Sequence, residues 1–272
     1  MAGRLAKQFE ACGGGDCETV AHVHQIFIAD ESAPPSSPPP PIAENIEAAR
    51  RQYPEAEYRL WDRAALRATI AQHFEPAAFD AFETLRPYAY KADLARYCLL
   101  YIYGGLYVDL GVRCMAPLRP PLGVAIAGFR DIAFQSSSSP AVAPGLIWAQ
   151  PRQRAFRIAI DLIIDNCRSR FYGENPLYPT GPALMGRALV AAMAERTQES
   201  DAGDQWIGVT QLLTPQMERQ RMCFVAPDKS LVGLKIKGHG GDLAHLGAVG
   251  TNNYNELWRQ RIVYGESPDR QR

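Results

Sequence analysis

No stretch of about 18 consecutive apolar residues occurs in this chain, so nothing in it reads as a membrane-spanning helix, and at most peripheral membrane contact is expected. An excess of one charge is missing too. Lys and Arg number 29 against 29 Asp and Glu, so no global field points to nucleic acid. A GxGxxG fingerprint after the first strand is absent, and a proline run stands there instead, which excludes a dinucleotide-binding oxidoreductase. The six cysteines lie at 12, 17, 98, 114, 167 and 223 and form no CxxC pair. They read as reduced structural thiols rather than a zinc or redox site. The first 20 residues lack the apolar core of a signal peptide and read as a flexible lead-in. The expectation is a bacterial cytoplasmic protein, in peripheral contact with the inner membrane at most.

What is present is ordinary globular composition, 47% hydrophobic and 21% charged over 272 residues, ample for a buried core. One domain over residues 21–265 with a short tail, 266–272, is expected. His22 to Ile28 and Tyr58 to Trp61 have the β-forming composition of buried strands, and Ile42 to Gln52 has helical spacing. Ser32 to Pro40 reads as a polyproline-like surface loop. One or two helices are predicted over Arg63–Phe82, and further strands over Val124–Phe129, Gly145–Trp148 and Leu231–Ile236, the first two flanking a Ser136–Ser139 loop. Helices are predicted over Ala155–Asn166 and from the Tyr178–Pro182 turn through Glu195. Strands alternating with helices make the class α/β.

The most informative run is YKADLARYCLLYIYGGLYVDLG, Tyr90 to Gly111. Tyr88 to Tyr103 has the length of a helix of about four turns, with Gly104 as its left-handed stop and Leu106–Leu110 as the following strand. Asp93 and Arg96, at i,i+3, share one helix face, whereas Leu94, Cys98 and Tyr101 can point into a core. Asp109 falls at the carboxyl end of its strand, where open α/β sheets gather ligands. A carboxylate there is costly to bury unless a cation or hydroxyls repay it.

That run resembles the DXD-containing sugar-binding block of glycosyltransferase family 32. HVHQIF (His22–Phe27), NIEAARRQYPEAEYRLWD (Asn45–Asp62), YPTGPALMGRAL (Tyr178–Leu189) and GGDLAHLGAVGTNNYNELW (Gly240–Trp258) resemble further family segments in the same order. The resemblance implies a GT-A type fold, a mixed central sheet flanked by helices that binds a nucleotide sugar. It also implies transfer of a hexose, with retention, from GDP- or UDP-hexose to a saccharide or lipid-linked acceptor in cell-surface glycan synthesis. A degenerate nucleotide-sugar-binding protein without turnover is the alternative. Carried over by position, Asp93, Arg96 and Asp109 are the catalytic candidates. His24, Gln25, Ile26, Phe27, Trp61, Asp62, Lys91, Gly105, Tyr107, Asn252 and Asn253 are candidates for donor binding. A divalent Mn²⁺ or Mg²⁺ is expected, as hard cations favour carboxylates. One departure stands out: the DXD reads Asp109-Leu110-Gly111, so the second acid is missing. The expected metal ligands are Asp109 together with His239, Asp242 or His245 of the glycine-rich tail.

Overall fold

A computed structural model describes residues 17–30, 37–132, 141–195, 204–213, 221–236 and 239–266. Most of the lead-in, residues 31–36 of the proline-rich segment, the Ser136–Ser139 loop and nearly all of the tail lie outside the described residues. The chain runs β1 (His22–Ile26), α1 (Pro40–Gln52), β2 (Glu57–Trp61), α2 (Arg63–His73), α3 (Pro76–Thr84), α4 (Tyr88–Tyr103), β3 (Gly105–Val108) and β4 (Val112–Cys114). It continues with β5 (Ile126–Arg130), β6 (Leu146–Ala149), α5 (Arg154–Ser169), α6 (Pro182–Ala194), β7 (Gln205–Leu212), β8 (Arg221–Val225) and β9 (Leu231–Ile236). A 3₁₀ turn (Ala244–Leu246) and α7 (Tyr254–Arg259) follow.

The proline run does not stay a loop to its end. Pro40 and Pro41 form the first turn of α1, where a missing N–H costs nothing and the fixed φ is already helical. Pro76 does the same for α3 and so splits the predicted Arg63–Phe82 region into two helices.

All nine strands among the described residues form one mixed sheet in the order β2-β1-β3-β6-β5-β7-β8-β9-β4. β2, β1 and β3 run parallel, while β6 is antiparallel to β3 and to β5. β3 and β4 are joined by three residues, Asp109 to Gly111. Four residue steps reach at most roughly 14 Å, yet β4 stands six places from β3 in the sheet, about 29 Å if the sheet were flat. The sheet therefore curls, and β9 and β4 return over the end of β3. The Asp-Leu-Gly triplet sits at that crossing.

Both faces of the sheet are covered, and β3 shows how its residues divide. Tyr107 belongs to the cluster under the helices, with Leu94, Cys98, Phe156 and Ile160. Leu106 and Val108 belong to the opposite cluster, with Val112, Trp148 and Phe224. This is the period of two expected of a strand buried on both sides. Asp109 continues the parity of Tyr107 and so faces α4. Helix α4 is buried without a break from Asp93 to Leu100, between the sheet and α5, where Tyr97 stacks on Phe156 with ring centroids 6.2 Å apart. A helix buried all round must satisfy its polar groups internally, and its charged residues do so.

Gly104 ends α4 at φ 64°, ψ −153°, beyond the left-handed helical region expected for it and in a region open essentially only to glycine. A Cβ on Gly105 would come within 2.5 Å of the His22 carbonyl oxygen. The glycine pair thus allows α4 to turn straight into a strand beside β1. Cys98, Cys114, Cys167 and Cys223 are buried free thiols, as expected of structural cysteines.

Candidate active site

Asp93 and Arg96, one helical turn apart on α4, meet Asp109 at the end of β3. Arg96 Nη2 lies 3.3 Å from Asp93 Oδ1, and Nη1 lies 3.0 Å from Asp109 Oδ1. Arg96 also donates to the carbonyls of Ala92 (3.1 Å) and Pro144 (2.8 Å) and stacks over the Tyr107 ring, 4.3 Å from its centroid. The Tyr107 hydroxyl donates to Asp109 Oδ1 at 3.0 Å, and Lys235 Nζ donates to Oδ2 at 2.7 Å. Side-chain exposure grades from 5% at Arg96 and 10% at Asp93 to 20% at Asp109 and 31% at Lys235. The cluster is buried at its base and open at its mouth.

That gradient sets the ionisation of the two acids. Burial pushes Asp93 up to about 6, partly offset by the Arg96 charge and by the Thr180 hydroxyl that donates to Oδ2 at 2.7 Å. Burial also pushes Asp109 up. Lys235 and Arg96, with hydrogen bonds from Lys235 and Tyr107, outweigh it and hold that carboxyl well below the usual range. Two nearby carboxyls with separated pKa values are a mark of functional sites.

Thr180, Gly181 and Pro182 have a physical division of labour. Thr180 bonds Asp93 through its hydroxyl and accepts the Tyr97 hydroxyl (3.1 Å) at its carbonyl. A Cβ on Gly181 would stand 3.2 Å from the Leu177 carbonyl oxygen, so a larger residue there would require that neighbour to shift by a few tenths of an ångström. Pro182 opens α6. Tail residue Asn252 reaches back to cap α4, accepting from Tyr88 N (2.9 Å) and donating to the Arg86 carbonyl (3.2 Å).

An open cleft of about 230 Å³ lies over the cluster, bounded by Asp93, Arg96, Asp109, Lys235, Ile26 and Tyr254 among others. Tyr107, His239, Asp242 and His245 also line it. Several expected donor contacts do not. His24 is buried, accepting from Trp61 Nε1 (3.2 Å) at Nδ1 and pairing Nε2 with the Gly104 carbonyl (3.0 Å); burial lowers its pKa to about 4, so it is neutral. Gln25 accepts the Tyr58 hydroxyl (2.9 Å), Phe27 packs with α1, and Asp62 is the N-cap of α2, accepting from Ala65 N (2.7 Å). Lys91 points the other way, donating to the carbonyls of Phe82 and Glu83 (3.2 Å) and so capping the C-terminus of α3. Gly105 acts through its close approach to β1. Asn253 caps α7, accepting from Asn255 N (2.9 Å). In this structure these positions do not line the cleft, and their polar groups have partners in the fold except Gln25 Nε2, which is buried without a hydrogen-bond partner.

The structure does not bring the expected metal ligands together. Among the described residues no group of three or more His, Cys, Asp or Glu side chains could hold a metal ion. The rings of His239 and His245 stack on one another with centroids 3.7 Å apart, and His245 Nδ1 is engaged by the Asp242 carbonyl at 2.9 Å. Both oxygens of Asp109 already face cations, and position 111 has no carboxylate. This donor set does not fit a divalent ion.

Sequence reasoning missed Lys235; its only signal was one cation inside the apolar strand LVGLKI.

Residues 39–126, which include α4 and Asp109-Leu110-Gly111, match the family model described as a glycosyltransferase sugar-binding region containing the DXD motif. Over those residues the chain is similar to the sugar-binding region of the DXD glycosyltransferases. It is 30% identical over 113 residues to an uncharacterized glycosyltransferase of Acanthamoeba polyphaga mimivirus, 42% of each chain. It is also similar to inositol phosphoceramide mannosyltransferase 3 of Schizosaccharomyces pombe, 37% identical over 70 residues, 26% of this chain and 19% of that one. Inositol phosphoceramide mannosyltransferase 1 of the same yeast is 29% identical over 115 residues, 41% and 34% of the two chains. The chain spans less than half the length of each of these relatives. Among solved structures the PaToxG glycosyltransferase shares the fold, with a TM-score of 0.50 at 16% identity over 70% of this chain and 76% of that one. The matched region contains the strand crossing that holds Asp109 and ends at Ile126, the first residue of β5.

Proposed function

We propose that this chain transfers a hexosyl group from a nucleoside-diphosphate sugar to a hydroxyl of a saccharide or lipid-linked acceptor, with retention of configuration. The observation that carries the reading is Arg96, 5% exposed and held between Asp93 and Asp109 at the base of an open cleft. Buried guanidinium–carboxylate groups with one solvent-facing side suit a ligand that combines hydroxyls with phosphate. Asp93 and Asp109 accept from sugar hydroxyls, while Arg96 offers charge to the diphosphate.

In transfer, the bond from C1 to the diphosphate breaks with its electron pair left on the phosphate oxygen. The acceptor oxygen bonds C1 from the same face, and its proton passes to that leaving oxygen. The pre-positioned charges stabilise the separating ions without reorganising. Asp109 is poorly suited to be a covalent nucleophile, since both its oxygens are hydrogen-bonded. Base and sugar identity, GDP-mannose or a UDP-hexose, rest outside the cluster.

The test is a screen of sugar nucleotides for hydrolysis and for transfer to glycan and lipid-linked acceptors. Release of nucleoside diphosphate from one donor, lost in Asp109→Asn, is the expected result. Tight donor binding without turnover would make the chain a nucleotide-sugar-binding protein instead. Indifference to every donor would refute the reading.

A further inference from the structure

The cation beside Asp109 belongs to the protein itself. β9 pairs antiparallel with β4, setting Lys235 opposite Val112, next to the glycine that replaces the second acid. A Cβ at position 111 would stand 3.8 Å from Lys235 Cε, in ordinary van der Waals contact, so a carboxylate there would lie beside the lysine. A Cβ at position 145 would lie 2.6 Å from Asp109 Oδ2 and 3.6 Å from Lys235 Nζ. Gly145 therefore leaves open the volume in which the Lys235–Asp109 pair sits. The ammonium approaches Oδ2 to 2.7 Å, the length of a charge-assisted hydrogen bond, and so takes the side of the carboxylate that a divalent ion would need. Both cannot occupy that side of Asp109. Lys235 also lines the cleft and keeps part of its surface open, so its remaining donors are available to an anion.

We propose that Lys235 is the fixed cation that neutralises the departing diphosphate, standing where a divalent ion would bind, so that the site works without metal. The inference rests on the glycosyl-transfer reading and names the residue that replaces the ion. As the C1–O bond breaks, negative charge builds on the diphosphate oxygen. Lys235 meets it by contact and takes no proton, since the acceptor's proton goes to the leaving oxygen. A lysine suits this role because it is a compact charge with three donors, able to hold Asp109 and a phosphate together. Arg96 supplies the second positive charge from the other side of the same carboxylate.

The experiment titrates UDP, GDP, ADP, CDP and dTDP into chelator-treated protein by calorimetry, and follows hydrolysis of UDP-glucose and GDP-mannose with and without Mn²⁺. Bound Mn²⁺ is read separately by electron paramagnetic resonance. The wild type should bind one nucleotide equally well in chelator and in Mn²⁺, and should show no tight Mn²⁺ site. Lys235→Met should lose about tenfold to a hundredfold in that affinity in chelator, as expected for one charge-assisted contact, and Lys235→Arg should restore most of it. Gly111→Asp combined with Lys235→Met should gain a Mn²⁺ signal that the wild type lacks. Nucleotide binding that requires Mn²⁺, or a Lys235→Met protein with unchanged affinity, would overturn the role of Lys235 and leave glycosyl transfer standing. No binding of any nucleotide and no hydrolysis under either condition would overturn both.

Discussion

Replacing Asp93 by Asn separates what the site does for catalysis from what it does to stability. Asp93 is 10% exposed and its carboxyl is raised from 3.8 to about 6, chiefly by burial. Between those values the folded protein holds a proton that the unfolded chain has released. Stability from this group is therefore greatest below pH 3.8 and is lost as pH rises through about 6. The interval corresponds to about 3 kcal/mol, which the wild type forgoes at neutral pH to keep Asp93 ionised. Asn keeps an oxygen for the Thr180 hydroxyl but has no charge to desolvate. The lost Arg96 pairing is part of that same charge, so the comparison between pH values contains the whole effect. Urea unfolding of both proteins at pH 4 and pH 8 measures it. Relative to wild type, Asp93→Asn should be more stable at pH 8 than at pH 4 by most of that 3 kcal/mol, while glycosyl transfer falls more than tenfold. A stability difference that is equal at both pH values, or smaller at pH 8, would refute the assignment of a buried carboxylate strained for function.

Asp109→Asn should lower kcat/KM by more than tenfold, at least about 1.4 kcal/mol of transition-state stabilisation, with an unchanged thermal midpoint; retention of most activity would remove Asp109 from the site. Gly145→Ala places a methyl 2.6 Å from Asp109 Oδ2, so it should disrupt the Lys235 pair and depress turnover, and full activity would show that the pair is dispensable. Lys91→Met leaves the last carbonyls of α3 without their donor and should cost about 2 kcal/mol in urea unfolding. Nucleotide affinity should not change, and a lost affinity would return Lys91 to the donor site.

Much of this protein is local, and local physics is written along the chain. The α4 boundaries, Tyr88 to Tyr103, match the apolar run and its glycine stop, and the β9 limits, Leu231 to Ile236, match their short apolar stretch. Helical spacing put Asp93 and Arg96 on one face, and the strand parity that puts Asp109 with Tyr107 needs only the count from one to the other. Strands β4, β7 and β8 went unrecognised because short or half-exposed strands depend on their neighbours for stability more than on composition. What tertiary structure alone decided is which polar groups were already spoken for. His24 and Lys91 look like ligand contacts in one dimension, yet each is consumed by a carbonyl or an indole brought near by folding, whereas Asp62 and Asn253 cap helix ends within three residues of themselves. The reverse holds for Lys235. It lies 126 residues from Asp109, and only the curl of the sheet, forced by the three-residue link between β3 and β4, brings its ammonium to the carboxylate. Sequence spacing carries no record of that closure, because it comes from the order in which strands pair.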